Sequence, residues 1–180
     1  MFEKYSDANP ASRVRMTLRF ALARPSHIAS TFFGAGAMHP APGTWGTAAA
    51  VLVFAIVQTA FSLPHAAWFA AAAIAFFIGI WAADETARDL GVEDHGGVVI
   101  DEVAAVWLVC AGFPDGWGYW LAAFAAFRIC DIVKIWPGCV IDRRMKGGFG
   151  VMADDLVAGA YAWAAVKLAE HFLLPLLAAA

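Results

Sequence analysis

The sequence predicts an all-α fold: a polytopic membrane helical bundle of about five transmembrane or membrane-embedded helices, plus an N-terminal amphipathic helix. Three observations carry this. Of 180 residues, 62% are apolar or aromatic and only 15% are Asp, Glu, Lys or Arg, against roughly 25% charged in a soluble domain. From Pro25 to Ala83 there is no charged residue, a run of 59 positions. A water-soluble domain must solvate its outer faces and does not leave such a run bare. Finally, a span needs about 20 predominantly apolar residues, so the run holds two.

The elements follow in chain order. Residues 12–24, interrupted by Arg13, Arg15, Arg19 and Arg24, read as a basic amphipathic helix resting on an anionic leaflet. They lack one clean apolar stretch and an A-x-A-type site, so no cleaved signal peptide is read. Residues 1–27 are taken as this basic segment and 28–180 as a single membrane domain. Thr47–Leu63 is the first span, turning at Pro64-His65, and Ala66–Ala83 is the second. Val103–Phe113 reaches span length only if Ile100, Asp101 and Glu102 start the same helix. Pro114-Asp115-Gly116 is a turn signal, Tyr119–Val133 runs back, and Pro137 stops it. The last helix is expected to start around Met152–Asp155 and continue past Trp163.

Lys and Arg near span ends set orientation. If the N-terminus is cytoplasmic, alternating spans place 11 of the 12 basic residues on that side, with only Lys167 opposite. A net charge of −3 gives no basic excess for nucleic acid. Cys110, Cys130 and Cys139 form no CxxC pair, which excludes a disulfide scaffold and zinc-finger spacing.

With the helices placed, the ionisable residues collect at one face. The groups are Asp94-His95 with Asp101-Glu102; Arg128, Asp131 and Lys134; Asp142-Arg143-Arg144; and Asp154-Asp155. Intramembrane charges are costly and usually have a partner and a job. Between Asp84 and Glu102 lie seven acids and a single base, Arg88. Hard oxygen donors without cysteine clusters favour Mg2+ over zinc. Arg128 and Lys134 flank Asp131 near one helix face. Acids for a metal and bases for an anion suggest a phosphate-bearing substrate. The Gly/Pro-rich loop from Gly34 to Thr47 opens a helix, and its backbone N–H groups could receive a phosphate, though it matches neither Walker A nor GxGxxG.

Plainer readings stand beside these. Asp154-Asp155 could cap the last helix. Arg128–Asp131 could be a structural ion pair. Asp84, Glu85, Arg88 and Asp89 read as a solvated helix face, and His95 either positions a neighbour or acts as ligand or base. Gly147, Gly148 and Gly150 read as a loop with positive φ angles.

In order, these segments resemble one family. Pro42-Gly43-Thr44-Trp45-Gly46-Thr47 resembles its PGTxG[ST] loop. Asp94-His95-Gly96 through Val99-Ile100-Asp101-Glu102 resembles its D-x-(4–5)-[IV]-x-DE segment. Phe127-Arg128-Ile129-Cys130-Asp131-Ile132-Val133-Lys134 resembles its FRxxDxxK helix. Asp142 and Gly147-Gly148-Phe149-Gly150 through Asp154-Asp155-Leu156-Val157-Ala158-Gly159 resemble its GGxGxxxDDxxAG. The family is phosphatidylglycerophosphatase A. Ile135, Ala105 and Gly138 depart from its pattern at positions of helix shape and packing, not at the acids or bases.

The resemblance implies an integral-membrane, Mg2+-dependent phosphatase of the bacterial cytoplasmic (inner) membrane, with N-terminus and active site on the cytoplasmic side. It would convert phosphatidylglycerophosphate to phosphatidylglycerol and inorganic phosphate in phospholipid biosynthesis, with the bilayer as its medium and no required protein partner. The chain has no Cys-x5-Arg loop, no DxDx[TV] nucleophile and no Lys-x6-Arg-Pro motif, which favours direct attack by metal-activated water. Asp101, Glu102, Asp154 and Asp155 are then the expected metal ligands and base, with Asp131 joining them and Asp94 close by. Arg128, Lys134, Arg143 and Thr44 are expected to hold the substrate phosphate. The rival classes are a cation-coupled transporter, which would place its acids at mid-span, and a structural membrane subunit, which would tolerate neutral replacements of them.

Overall fold

The computed structural model describes the backbone of residues 10–93 and 95–178, and the side chains of these residues except 10, 12, 142, 143 and 173–178. The described residues form helices and no strand. Three short helices come first: α1 (Pro10–Arg13), α2 (Leu18–Ala21) and α3 (Pro25–Ser30). The single amphipathic helix expected over residues 12–24 is therefore divided. Thr17 ends the extended stretch after α1 and caps α2, its Oγ1 accepting the Phe20 N–H at 3.2 Å. Arg24 is then extended ahead of Pro25, as a residue preceding proline prefers. Met16 and Ala21 are buried, so the segment packs onto the protein.

α4 (Pro42–Phe61) starts with proline in its first turn, where the missing N–H costs nothing. The Pro42–Thr47 motif is thus the opening of a helix, not the loop ahead of it. α5 (His65–Leu90) extends beyond the expected Ala83 and ends at Gly91, whose φ is +70°. α6 (Ile100–Ala111) and α7 (Trp117–Val133) are joined through the predicted turn, and α8 (Gly138–Arg144) is a short addition before α9 (Gly147–Ala178).

Among the described residues, three helices are long and apolar enough to cross a membrane: Pro42–Phe61, His65–Leu90 and Gly147–Phe172. The expected third span is different. At 12 residues α6 is about 18 Å long, well short of a bilayer's hydrocarbon thickness of about 30 Å. It packs against α4, α5, α7 and α9, and its Val103, Ala104, Ala105 and Val106 are fully buried. α6 is the core on which the longer helices assemble.

α9 begins at Gly147, one to two turns before the expected start. Gly147 adopts a φ of +77°, as expected, but Gly148 and Gly150 are helical. A Cβ on Gly148 would collide with the Ile80 carbonyl of α5, and one on Gly150 with the Met145 carbonyl. These glycines allow close approach between backbones. The Gly148 N–H donates to Asp84 Oδ1 at 2.5 Å, so Asp84 caps α9 from α5. Asp154 and Asp155 lie two turns inside the helix and do not cap it.

Side-chain contacts define the two ends of the bundle. At one end Trp68 donates to Gln58 Oε1 at 2.7 Å, and Gln58 donates to Asp115 Oδ2 at 2.8 Å. Tyr119 donates to Glu170 Oε1 at 2.8 Å there, and Lys167 sits 4.8 Å above the Phe113 ring. At the other end α4, α6 and α9 begin while α5 and α7 finish. That end carries the polar clusters.

Candidate functional site

α6 opens on Asp101 and Glu102, both buried. The Glu102 N–H donates to Asp101 Oδ1 at 3.0 Å. Glu102 is then held from two other helices. Arg128 Nη1 of α7 is 2.9 Å from its Oε1, and the Thr47 hydroxyl of α4, with one proton to share, lies 3.2 Å from its Oε2 and 2.9 Å from the Gly43 carbonyl. Gly43 has no room for a side chain, because a Cβ there would meet Glu102 Oε1 and Arg128 Nη1. The same Nη1 is 2.7 Å from Asp131 Oδ2, one turn along α7.

Lys134 terminates α7 with a φ of +47°. Its Nζ reaches Asp154 Oδ2 of α9 at 2.6 Å, with the carboxylate 7% exposed. Asp155, beside it, is also buried, and among the described residues its Oδ2 has no hydrogen-bond partner. The carboxylates of Asp131, Asp101, Asp154 and Glu102 all repel it. Among the described residues, five acids thus face two bases.

A cavity of about 540 Å³ opens onto this constellation, lined among others by Thr44, Asp101, Glu102, Arg128, Asp131, Lys134 and Asp155. Asp154 is not part of that lining; it faces a small adjoining recess with Asp131, Lys134, Gly138 and Asp155. Of the expected site residues, Arg143 has its side chain outside the described residues, and so does the whole of Asp94. Ile132 also lines the cavity and is 48% exposed. With Leu121, Ala125 and Ile129 it forms an exposed stripe at helical spacing on α7, which leads from the flank of the bundle to the cavity.

His95 sits in the cavity wall. Its Nε2 is 2.7 Å from the Val14 carbonyl, which can only accept, and its Nδ1 accepts the Gly97 N–H at 2.9 Å. The expected solvated face of α5 is only partly one. Arg88 pairs with Glu85 at 2.9 Å on the surface, but Asp89 takes Arg24 at 2.7 Å and the buried His27 at 2.8 Å.

Thr47 and Gly43 are site residues that reading the sequence for charge overlooks. Their signal was present: both belong to the same Pro42–Thr47 motif as Thr44. The contribution of Val14 carries no sequence signal, since it is made by a backbone carbonyl.

The donor chemistry fits a hard divalent cation: every acid is a carboxylate, negative charge is in surplus, and a buried Asp155 oxygen lacks a partner among the described residues. Among the described residues, however, no three His, Cys, Asp or Glu side chains are grouped as a ready metal set. Arg128 and Lys134 take up oxygens of Glu102, Asp131 and Asp154 instead.

The family model described as Phosphatidylglycerophosphatase A matches residues 28–170. A Haemophilus influenzae protein named Phosphatidylglycerophosphatase A is 37% identical over 157 residues, 87% of this chain and 95% of its own length. An Escherichia coli protein of the same name is 36% identical over 142 residues, 78% of this chain and 81% of its own. A Bacteroides thetaiotaomicron protein, provisionally named a phosphatidylinositol-3-phosphatase, is 41% identical over 159 residues, 82% of this chain and 96% of its own. No solved structure matches the chain. The buried acid–base constellation lies within the matched region, and the chain belongs to the phosphatidylglycerophosphatase A family of phosphatases.

Proposed function

We propose that this protein hydrolyses phosphatidylglycerophosphate to phosphatidylglycerol and inorganic phosphate, in a Mg2+-dependent reaction at the cytoplasmic face of the bacterial inner membrane. The observation that carries the reading is the single cavity that presents Arg128, Lys134 and the carboxylates of Asp101, Glu102, Asp131 and Asp155 together. A phosphomonoester needs cations to hold its oxygens and an acceptor for the proton of attacking water. An apolar stripe that reaches the cavity suits a substrate whose acyl chains stay in the bilayer.

Arg128 and Lys134 hold the terminal phosphate and stabilise the charge that grows on it in the transition state. Thr44 adds a hydroxyl at the cavity wall. Asp101, Glu102, Asp154 and Asp155, with Asp131 beside them, would hold Mg2+. The ion, when bound, supplies neutralising charge and lowers the pKa of water. In the reaction a P–O bond forms from water and the P–O bond to glycerol breaks. The water's proton passes to a carboxylate, and the glycerol oxygen leaves with a proton from solvent. Asp155 offers an unpartnered oxygen for this duty. Because Arg128 and Lys134 are paired with acids, a phosphate entering the site exchanges those contacts for its own.

The test is phosphate release from the lipid by purified protein in detergent, with Mg2+ and with a chelator. Release that needs the metal is expected; no release from the unmodified protein overturns the reading. The Bacteroides relative's name supports including a phosphoinositide monoester as a second substrate in the same assay.

A further inference from the structure

The cavity has a second wall that takes no part in the acid–base chemistry. Ala11 and Val14 line it from the N-terminal segment, opposite in character to the charged residues of α6, α7 and α9. The segment is fixed to the protein. Ala11 is 4% and Met16 2% exposed, and Met16 Sδ packs against Gly97, where a Cβ would stand 2.7 Å from it. The central fastening is His95, which lines the cavity and grips the Val14 carbonyl at 2.7 Å while taking the Gly97 N–H at 2.9 Å. Gly97 is three residues before α6. One imidazole therefore joins the strap over residues 11–16 to the turn that delivers Asp101 and Glu102. The strap also precedes the family match, which begins at residue 28.

We propose that residues 11–16 form a latched wall of the substrate cavity, and that His95 is a positioning residue which sets the fit of the headgroup by holding that wall. The proposal rests on the phosphatase reading for its kinetic part and on the hydrogen bonds alone for its mechanical part. His95 has both ring nitrogens on backbone groups, one in the strap and one in the turn before α6. Arg13 and Arg15 flank Val14 and are exposed, which makes them trypsin sites that report on whether the strap is held.

The experiment uses the full chain in detergent. His95→Ala is expected to speed tryptic cleavage after Arg13 and Arg15 about tenfold, as loss of a buried hydrogen bond implies. The KM for phosphatidylglycerophosphate should rise by about the same factor while kcat stays within about twofold, the signature of lost uniform binding. His95→Gln keeps an N–H donor and should restore both readouts. Val14→Trp intrudes on the cavity and should raise KM without faster cleavage. Unchanged cleavage in His95→Ala overturns the latch. A fall in kcat of about 100-fold at unchanged KM overturns the positioning role and makes the imidazole a chemical participant. If His95→Ala does not fold, Val14→Trp decides, since an unchanged KM there removes the strap from the substrate space. The cleavage readout needs no substrate, so the latch stands or falls separately from the lipid assay.

Discussion

Arg128 Nη1 lies 2.9 Å from Glu102 Oε1, between two side chains that are 10% and 9% exposed. The contact ties α7 to α6 at the level where Asp131 and Thr47 join them. A buried pair of this kind adds little net stability over an apolar replacement, but removing one partner strands the other charge. Arg128→Ala should therefore cost about 3–5 kcal/mol, read as a lower unfolding midpoint in detergent. Arg128→Lys keeps the charge but loses the planar fork. It should fold and lose most of its phosphate release.

Asp155 behaves in the opposite way. Its carboxylate is buried, repelled by Asp131, Asp101, Asp154 and Glu102, and one oxygen has no partner among the described residues. Asp155→Asn should leave the unfolding midpoint unchanged or raise it, because a repelled buried charge is removed. Phosphate release should fall by about 100-fold or more if the group serves the proton transfer. An active Asp155→Asn variant would remove it from the site.

Gly43 tests the geometry without removing a charge. Gly43→Ala drives a methyl against Glu102 Oε1 and Arg128 Nη1, an overpacking that costs about 1–3 kcal/mol. Activity should drop with it. Gly118→Ala is the matched control, since nothing lies within 4 Å of a Cβ there, and it should match the unmodified protein in both midpoint and rate.

Metal removal separates structure from chemistry. Chelation should abolish release yet leave the ion pairs Arg128–Glu102 and Lys134–Asp154. The unfolding midpoint without Mg2+ should then fall only by the binding contribution, which follows the ratio of free metal to Kd. A collapse of the fold on chelation would make the ion structural.

Much of the fold was legible because apolar runs and their interruptions encode it. The charge-free stretch marked α4 and α5, and Pro114-Asp115-Gly116 marked the turn between α6 and α7. The misread boundaries share one cause. Pro42-Gly43-Thr44 and Gly147-Gly148 look like loops by propensity, yet they start helices, because glycine is what lets Gly43 approach Glu102 and Gly148 approach Ile80. Tertiary contact overrode local preference there. α6 misled for a different reason: a short apolar run cannot say whether lipid or protein surrounds it. The acids and bases of the site were legible as charges that needed partners. Which carboxylate met which cation was not, because Lys134–Asp154 and Arg128–Glu102 join residues far apart in sequence.

The helical bundle also does something for its charged residues that no side chain does. α4, α6 and α9 all start at the end that holds the carboxylates. Each helix start carries roughly half a positive charge from its aligned peptide dipoles. The starts of α4 and α6, which bring Pro42, Thr44, Asp101 and Glu102 to the cavity lining, offset part of the surplus of acids without adding a lysine or arginine. Backbone dipoles at those two starts oppose the side-chain charge, so an anion approaching a cavity with so many carboxylates is repelled less than the side chains alone would dictate.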